Sequence, residues 1–75
     1  MKYEKLGLYI QYKRKNCGFS LNKFAFENGI DPAILSRIEN LKQNIKINVL
    51  EKIASGFKMT PAQLLTEFEN SNYST

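Results

Sequence analysis

The side chains best suited to chemistry in this sequence are Ser36 and Arg37, which lie in the segment from Ser20 to Lys42. Arg37 carries a planar guanidinium that can donate two parallel hydrogen bonds to O6 and N7 of a guanine. Ser36, beside it, can reach a base edge or a phosphate. In the alternative interpretation Arg37 pairs with a carboxylate or a phosphate and Ser36 is solvated. The choice between these partners depends on the elements that hold the two residues.

The residue types needed for enzymatic or metal chemistry are scarce. The chain has one cysteine, Cys17, and no histidine, so a zinc site or a histidine-activated nucleophile lacks its constituents. Its carboxylates are scattered, and it has no glycine-rich phosphate loop. We therefore expect no enzyme, no cofactor and no metal. We interpret Cys17 as a small packing residue rather than a redox sensor.

Two short helical patterns joined at Asn28-Gly29 form the centre of the sequence. The second pattern begins at Asp31-Pro32, an N-cap followed by the residue best tolerated at the first helical position. Two helices packed across a short turn containing glycine form a helix-turn-helix unit, whose second helix can enter the major groove of DNA. The segment therefore predicts sequence-specific binding to double-stranded DNA.

Helical periodicity extends through nearly the whole sequence and predicts an all-α fold of five helices. The predicted helices span approximately residues 2–15, 21–28, 32–40, 47–55 and 61–69. We expect Gly56 to end the fourth helix. Residues 1–69 are predicted to form one helix-turn-helix domain, and residues 70–75 a polar, frayed C-terminal tail.

Positive charge is concentrated at the N-terminal end. The net charge is +4, and residues 1–19 contain five Lys or Arg residues and one Glu. This region could face DNA phosphates or form an ordinary solvated helix surface, and charge alone does not decide between them. No apolar run is long enough to span a membrane, no signal peptide begins the sequence, and a single cysteine suits a reducing compartment. We expect a cytoplasmic protein without a membrane partner.

Several short motifs occur in a characteristic order along the chain: Leu6-Gly7, Ile10, Arg14, Gly18-Phe19-Ser20, Phe24-Ala25, Gly29-Ile30, Leu35-Ser36-Arg37-Ile38-Glu39 and Leu50-Glu51-Lys52-Ile53-Ala54. In this order and spacing, over roughly residues 6–68, the sequence resembles the Xre/Cro-like helix-turn-helix family, which includes phage repressors and small bacterial regulators. The resemblance implies a five-helix, lambda-repressor-like domain that binds operator DNA, commonly as a dimer.

The resemblance also implies roles for individual residues. Those expected to meet bases, on the exposed face of the third helix, are Pro32, Ala33, Ser36 and Arg37. Those expected to lie near phosphates, at the start of the second helix and in the loop after the third, are Ser20, Leu21, Asn22, Asn40, Lys42 and Asn44. Arg14 and Glu39 match a partly buried ion pair between the first and third helices. The alternatives are a favourable helix start for Pro32 and simple solvation for Lys42 and Asn44.

Three positions depart from the family pattern. Leu21 stands where the family usually has glutamine, so one contact with phosphate or base is in doubt. Leu41 replaces a glycine after the third helix, where a left-handed backbone is often needed, and a leucine in that conformation is strained. Asn40 could adopt that conformation instead. Ile45 stands where proline is common, which affects only the loop geometry.

Two classes of function are consistent with these features. The first is a homodimeric transcription regulator on a near-palindromic operator, of the small-repressor or restriction–modification controller type. We expect its dimer contacts from Leu65 and Phe68 on the fifth helix. The second is a protein-interaction module such as an antitoxin, in which Leu21, Ala33 and Ile34 would meet a protein. Salt-dependent binding to random duplex is expected only for the first.

Overall fold

Five helices and a short 3-10 turn make up the computed structural model, which describes residues 3–74. The elements are α1 (Leu6–Asn16), α2 (Leu21–Glu27), α3 (Pro32–Glu39), α4 (Ile47–Gly56), α5 (Pro61–Glu69) and the 3-10 turn (Asn72–Ser74). No strand occurs within residues 3–74, and the predicted all-α fold of five helices is confirmed. Lys2 and Thr75, predicted to belong to the first helix and to the tail, lie outside the described residues.

Side-chain caps explain why three of the helices begin where they do. The Ser20 hydroxyl accepts a hydrogen bond from the backbone N–H of Lys23 at 3.2 Å. The Asp31 carboxylate accepts one from the N–H of Ala33 at 2.9 Å. Thr60 forms a reciprocal capping box with Gln63. Each cap satisfies an N–H group that the first turn of a helix leaves without a partner, so these starts are set locally.

The core lies at the junction of the five helices. Its fully buried side chains come from every helix and include Ile10, Phe24, Leu35, Ile38, Ile53, Leu64 and Phe68. The backbones of α1 and α3 approach closely at Gly7, where an added Cβ would lie only 1.9 Å from the carbonyl oxygen of Ile38. Glycine is therefore required there, and the close approach fixes α3 against α1.

The fourth helix ends at the predicted glycine, but the left-handed residue lies further along the chain. Gly56 is the last residue of α4, and an added Cβ there would lie 2.7 Å from the Phe24 ring. The left-handed residue that follows the helix is Lys58, with φ of 60°. Gly56 ends α4 as predicted, but it does so without a left-handed conformation, and its small size is needed for packing against Phe24 of α2.

Residues 70–74 are packed rather than frayed. The ring of Tyr73 lies 5.8 Å from the ring of Tyr9 and 5.6 Å from that of Tyr12. The hydroxyl of Ser74 donates to the carbonyl of Glu69 at 2.9 Å. The expectation of a frayed tail is therefore wrong for residues 70–74, because aromatic contacts with α1 hold them in place.

A cluster of polar groups links α1 to α5 beside these rings. The Lys13 ammonium lies 2.7 Å from the carboxylate of Glu67 and 5.3 Å from the centre of the Phe57 ring. The Tyr9 hydroxyl donates to the same carboxylate. The Lys13 and Tyr9 donors hold the pKa of Glu67 below its usual range, while burial and then Glu67 raise the pKa of Tyr9. The cluster joins the two helices.

Candidate nucleic-acid interface

The second helix of the helix-turn-helix unit, α3, has one buried face and one open face. Leu35 and Ile38 are buried in the core, whereas Pro32, Ala33 and Arg37 are exposed and Ser36 is half-buried. The turn before α3 is made by Gly29, with φ of 68°, a value that residues with a Cβ rarely adopt. The predicted base-contacting residues therefore share one accessible surface of a single helix, which we call the α3 face.

The start of α2 carries three of the residues predicted to lie near phosphates. Ser20 and Asn22 are exposed, and the Ser20 hydroxyl caps the helix as predicted. Leu21 is half-buried and packs against the core. Its side chain has no donor or acceptor, so only the backbone N–H of Leu21, in the first turn of α2, could meet a phosphate oxygen.

The loop between α3 and α4 carries the remaining predicted phosphate contacts. Asn40, Lys42 and Asn44 are all exposed. The amide of Asn40 donates to the carbonyl of Ser36 at 2.9 Å, which holds the end of α3. Lys42 and Asn44 belong to the loop that follows α3, and Asn44 also lines a surface groove.

The strained conformation at the end of α3 belongs to Leu41. Its φ is 59°, in the left-handed region, whereas Asn40 has φ of −93°. The N–H of Leu41 donates to the carbonyl of Ile38 at 3.1 Å, and the N–H of Lys42 donates to that of Arg37 at 2.8 Å. These two bonds are those of a Schellman helix end, in which glycine is usual at the left-handed position. The departure from the family pattern therefore leaves the turn intact.

The predicted ion pair between the first and third helices is present and buried. Arg14 donates through Nε and Nη2 to the two carboxylate oxygens of Glu39, at 2.8 and 2.9 Å. Arg14 is 4% exposed and Glu39 is 1% exposed. The remaining Nη1 donates to the carbonyl of Phe19 at 2.7 Å. Since Phe19 precedes the cap of α2, the Arg14 guanidinium joins α1, α3 and the start of α2.

The two residues predicted for the dimer interface occupy different environments. Phe68 is fully buried, with its ring centre 5.8 Å from that of Tyr9. It belongs to the core of the single chain, and its assignment to an interface is wrong. Leu65 is half-buried and lines a surface groove of about 620 Å³ with the more exposed Leu41 and Ile47.

Cys17 and the acidic residues add no further chemistry to this surface. Cys17 is exposed, so its interpretation as a packing residue is wrong. Within residues 3–74, no group of three or more His, Cys, Asp or Glu side chains could hold a metal ion. None of the helices described is long and apolar enough to cross a membrane.

One contact of the α3 face was missed by sequence reasoning. The Nε of Arg37 donates to the side-chain oxygen of Gln43 at 2.8 Å. The two residues are on different elements, and neither periodicity nor a motif signals their pairing. The nearest signal in the sequence was Leu41, at a position where the resemblance to the family indicates a left-handed backbone.

Comparison with known proteins agrees with the fold. A family model described as helix-turn-helix matches residues 10–64. The HTH-type transcriptional regulators SinR of Bacillus licheniformis and of Bacillus subtilis (strain 168) are each 35% identical to this chain over 69 residues. Each alignment covers 91% of this chain and 62% of the relative, so the chain spans less than two-thirds of the length of these relatives. No solved structure matches the chain at a significant level. The family match covers most of the sequence, and the chain belongs to the Xre/Cro-like helix-turn-helix family.

Proposed function

We propose that this protein is a sequence-specific DNA-binding transcriptional regulator of the cytoplasm that acts on a near-palindromic operator as a homodimer. The observation that carries the proposal is the α3 face, where Arg37, Ser36 and Ala33 are accessible on one helix of a helix-turn-helix unit. Family membership and the names of the SinR relatives support a regulator of transcription rather than an enzyme.

The chemistry of the α3 face suits the edges of bases in a major groove. Arg37 can donate two hydrogen bonds to guanine, and Ser36 can serve either as donor or as acceptor. Ala33 and Pro32 are short and apolar, which permits contact with a thymine methyl group. We expect Ser20 and Asn22 at the start of α2, and Lys42 and Asn44 in the loop after α3, to contact phosphates, which would fix the helix in the groove.

Selection of duplexes from a random pool tests the proposed function most directly. We expect enrichment of a sequence with two related half-sites, whose centres are about 34–36 Å or a multiple apart. We also expect weaker, salt-dependent binding to random duplex, since phosphate contacts release counterions. Failure to bind any duplex at low salt would favour the protein-interaction alternative, in which the α3 face meets another protein.

Arg37→Ala is expected to weaken binding to the selected operator by roughly 1–3 kcal/mol and to relax the preference at one position of each half-site. The reason is loss of the guanidinium that would donate to a base edge. Affinities of the variant for the selected duplex and for random duplex, measured at one salt concentration, would check this. Equal losses on both duplexes would show a phosphate contact and contradict base reading.

The exposed Lys42 provides a matched control for this experiment. Lys42→Ala removes one positive charge from the loop, as Arg37→Ala does from the helix. If Lys42 binds a phosphate, affinity should fall about equally for all sequences, and the slope of log K against log salt should decrease by about one unit. The contrast between the two variants separates base contact from phosphate contact.

The proposed dimer can be tested at the groove beside Leu65. Ile47 is 72% exposed and Leu41 is 45% exposed, and both line the groove with Leu65. A second copy that covered these side chains would remove apolar surface from water. We therefore expect Ile47→Asp to lower the association constant by at least about tenfold, given the value of a buried aliphatic side chain, with the monomer still folded. Sedimentation of the wild type and the variant would check this, and a wild type that is monomeric at high concentration would contradict the dimer.

A further inference from the structure

Gln43 is the residue of the α3–α4 loop that contacts the proposed base reader directly. Its side-chain oxygen accepts a hydrogen bond from Nε of Arg37 at 2.8 Å. A guanidinium has five N–H donors, and this contact uses only the one on Nε. Both terminal Nη groups, which form the fork suited to guanine, can still donate to DNA.

The backbone brings Gln43 to this position through the turn at Leu41. Leu41 adopts φ of 59°, and the N–H of Lys42 then donates to the carbonyl of Arg37 at 2.8 Å. The chain therefore reverses its direction immediately before Gln43. This reversal brings the side-chain amide of Gln43 beside the side chain of Arg37. Positive φ at a residue with a branched side chain is strained, and such strain is retained mainly where a fixed local geometry is needed.

Gln43 is less exposed than the residue that it contacts. It is half-buried and lines the groove with Leu41 and Ile45, whereas Arg37 is exposed. A long exposed side chain loses much rotamer freedom when it binds, and that loss opposes affinity. A hydrogen bond from the guanidinium to a half-buried acceptor restricts the guanidinium before DNA arrives and so reduces the loss of rotamer freedom on binding.

We propose that Gln43 is a positioning residue for base recognition, one that orients the Arg37 guanidinium with its terminal fork toward the major groove. The base preferred at that position is then guanine, because only guanine offers two acceptors to such a fork. This inference rests on the proposed function, since it assigns a specificity determinant to the same DNA-binding surface.

A double-mutant cycle on the selected operator tests this role. Gln43→Met removes the acceptor and keeps a side chain of similar length, and Arg37→Ala removes the donor. Affinities of wild type, the two single variants and the double variant are measured for the selected duplex and for a duplex changed at the base pair that Arg37 reads. We expect Gln43→Met to reduce discrimination between the two duplexes by about two- to tenfold, the range for one hydrogen bond. In the Arg37→Ala background it should have no further effect.

A structural role would not give this pattern. Gln43→Met is expected to keep the melting temperature of the wild type and its affinity for random duplex, with the change confined to one base pair. Loss of discrimination at a different base pair, or an equal loss in the Arg37→Ala background, would show that Gln43 contacts DNA itself and would overturn the proposal. Increased discrimination would show that Gln43 withholds Arg37 from DNA, which also overturns it. A wild type without any sequence preference would instead refute the proposed function.

Discussion

Phe68→Asp should unfold the chain. Phe68 is fully buried, and its ring contacts those of Tyr3 and Tyr9 at centre-to-centre distances of 6.0 and 5.8 Å. Removing a buried phenylalanine ring costs about 3–5 kcal/mol for the cavity and the lost burial. An aspartate adds a carboxylate that must be desolvated without a partner or protonated. A domain of this size is expected near the low end of about 5–15 kcal/mol in total stability, so most or all of it would be lost.

Phe26→Asp is the matched control for this substitution. Phe26 is 85% exposed on α2, so the same chemical change there removes little buried surface. We expect a change within about 0.5 kcal/mol, as for most exposed positions. Helical circular dichroism and thermal melting of the two variants would check both expectations. A Phe68→Asp variant that is folded, and that sediments as a monomer where the wild type sediments as a dimer, would contradict the assignment of Phe68 to the core and support its assignment to a dimer interface.

The start of each helix in the recognition unit could be predicted from the sequence because the signals are local. Ser20 and Asp31 cap the helices that follow them, and each cap acts on an N–H two or three residues away. The buried pair of Arg14 and Glu39 was predicted from the resemblance to the family, and the geometry confirms it. The resemblance also indicated the left-handed turn that Leu41 adopts.

Features that depend on distant parts of the chain could not be predicted in the same way. The pattern of α5 shows Leu65 and Phe68 as apolar but does not show which one is covered. Phe68 is covered because Tyr3 and Tyr9, near the other end of the sequence, pack against it. Likewise, Gly56 reads locally as a helix stop, yet its small size is needed because the Phe24 ring of α2 lies against it.

The candidate interface was predicted as a set of residues but not as an arrangement. The resemblance to the family placed Arg37 on the exposed face of α3, and Arg37 is exposed in the structure. Its contact with Gln43 depends on the path of a loop with a strained residue, which no periodic pattern encodes. The exposed groove at Ile47 also arises from the meeting of four helices and the α3–α4 loop rather than from a motif. Interface details of this kind follow from tertiary structure alone.

Glu39→Ala is expected to lower the free energy of unfolding by about 3–5 kcal/mol, the range for removing one partner of a buried ion pair. Arg14 is 4% exposed in the wild-type structure. Without Glu39, its guanidinium keeps the carbonyl of Phe19 as its hydrogen-bond partner among residues 3–74. A buried charge without its counter-charge has lost its hydration and gained nothing in return. Urea denaturation of the wild type and the variant would measure the effect.

Two further variants separate the loss of the pair from the loss of a carboxylate. Glu51→Ala changes an exposed residue of α4 and should alter stability by no more than about 0.5 kcal/mol. A double replacement of Arg14 and Glu39 by methionine removes both buried charges, and we expect it to be more stable than Glu39→Ala, since apolar replacement of a buried pair is often neutral or stabilising. If the double variant were as unstable as the single one, the contribution of Glu39 would lie in packing rather than in compensating Arg14.

The double variant should also bind DNA less tightly than the wild type, because Arg14 and Glu39 hold α3 against α1 and the start of α2.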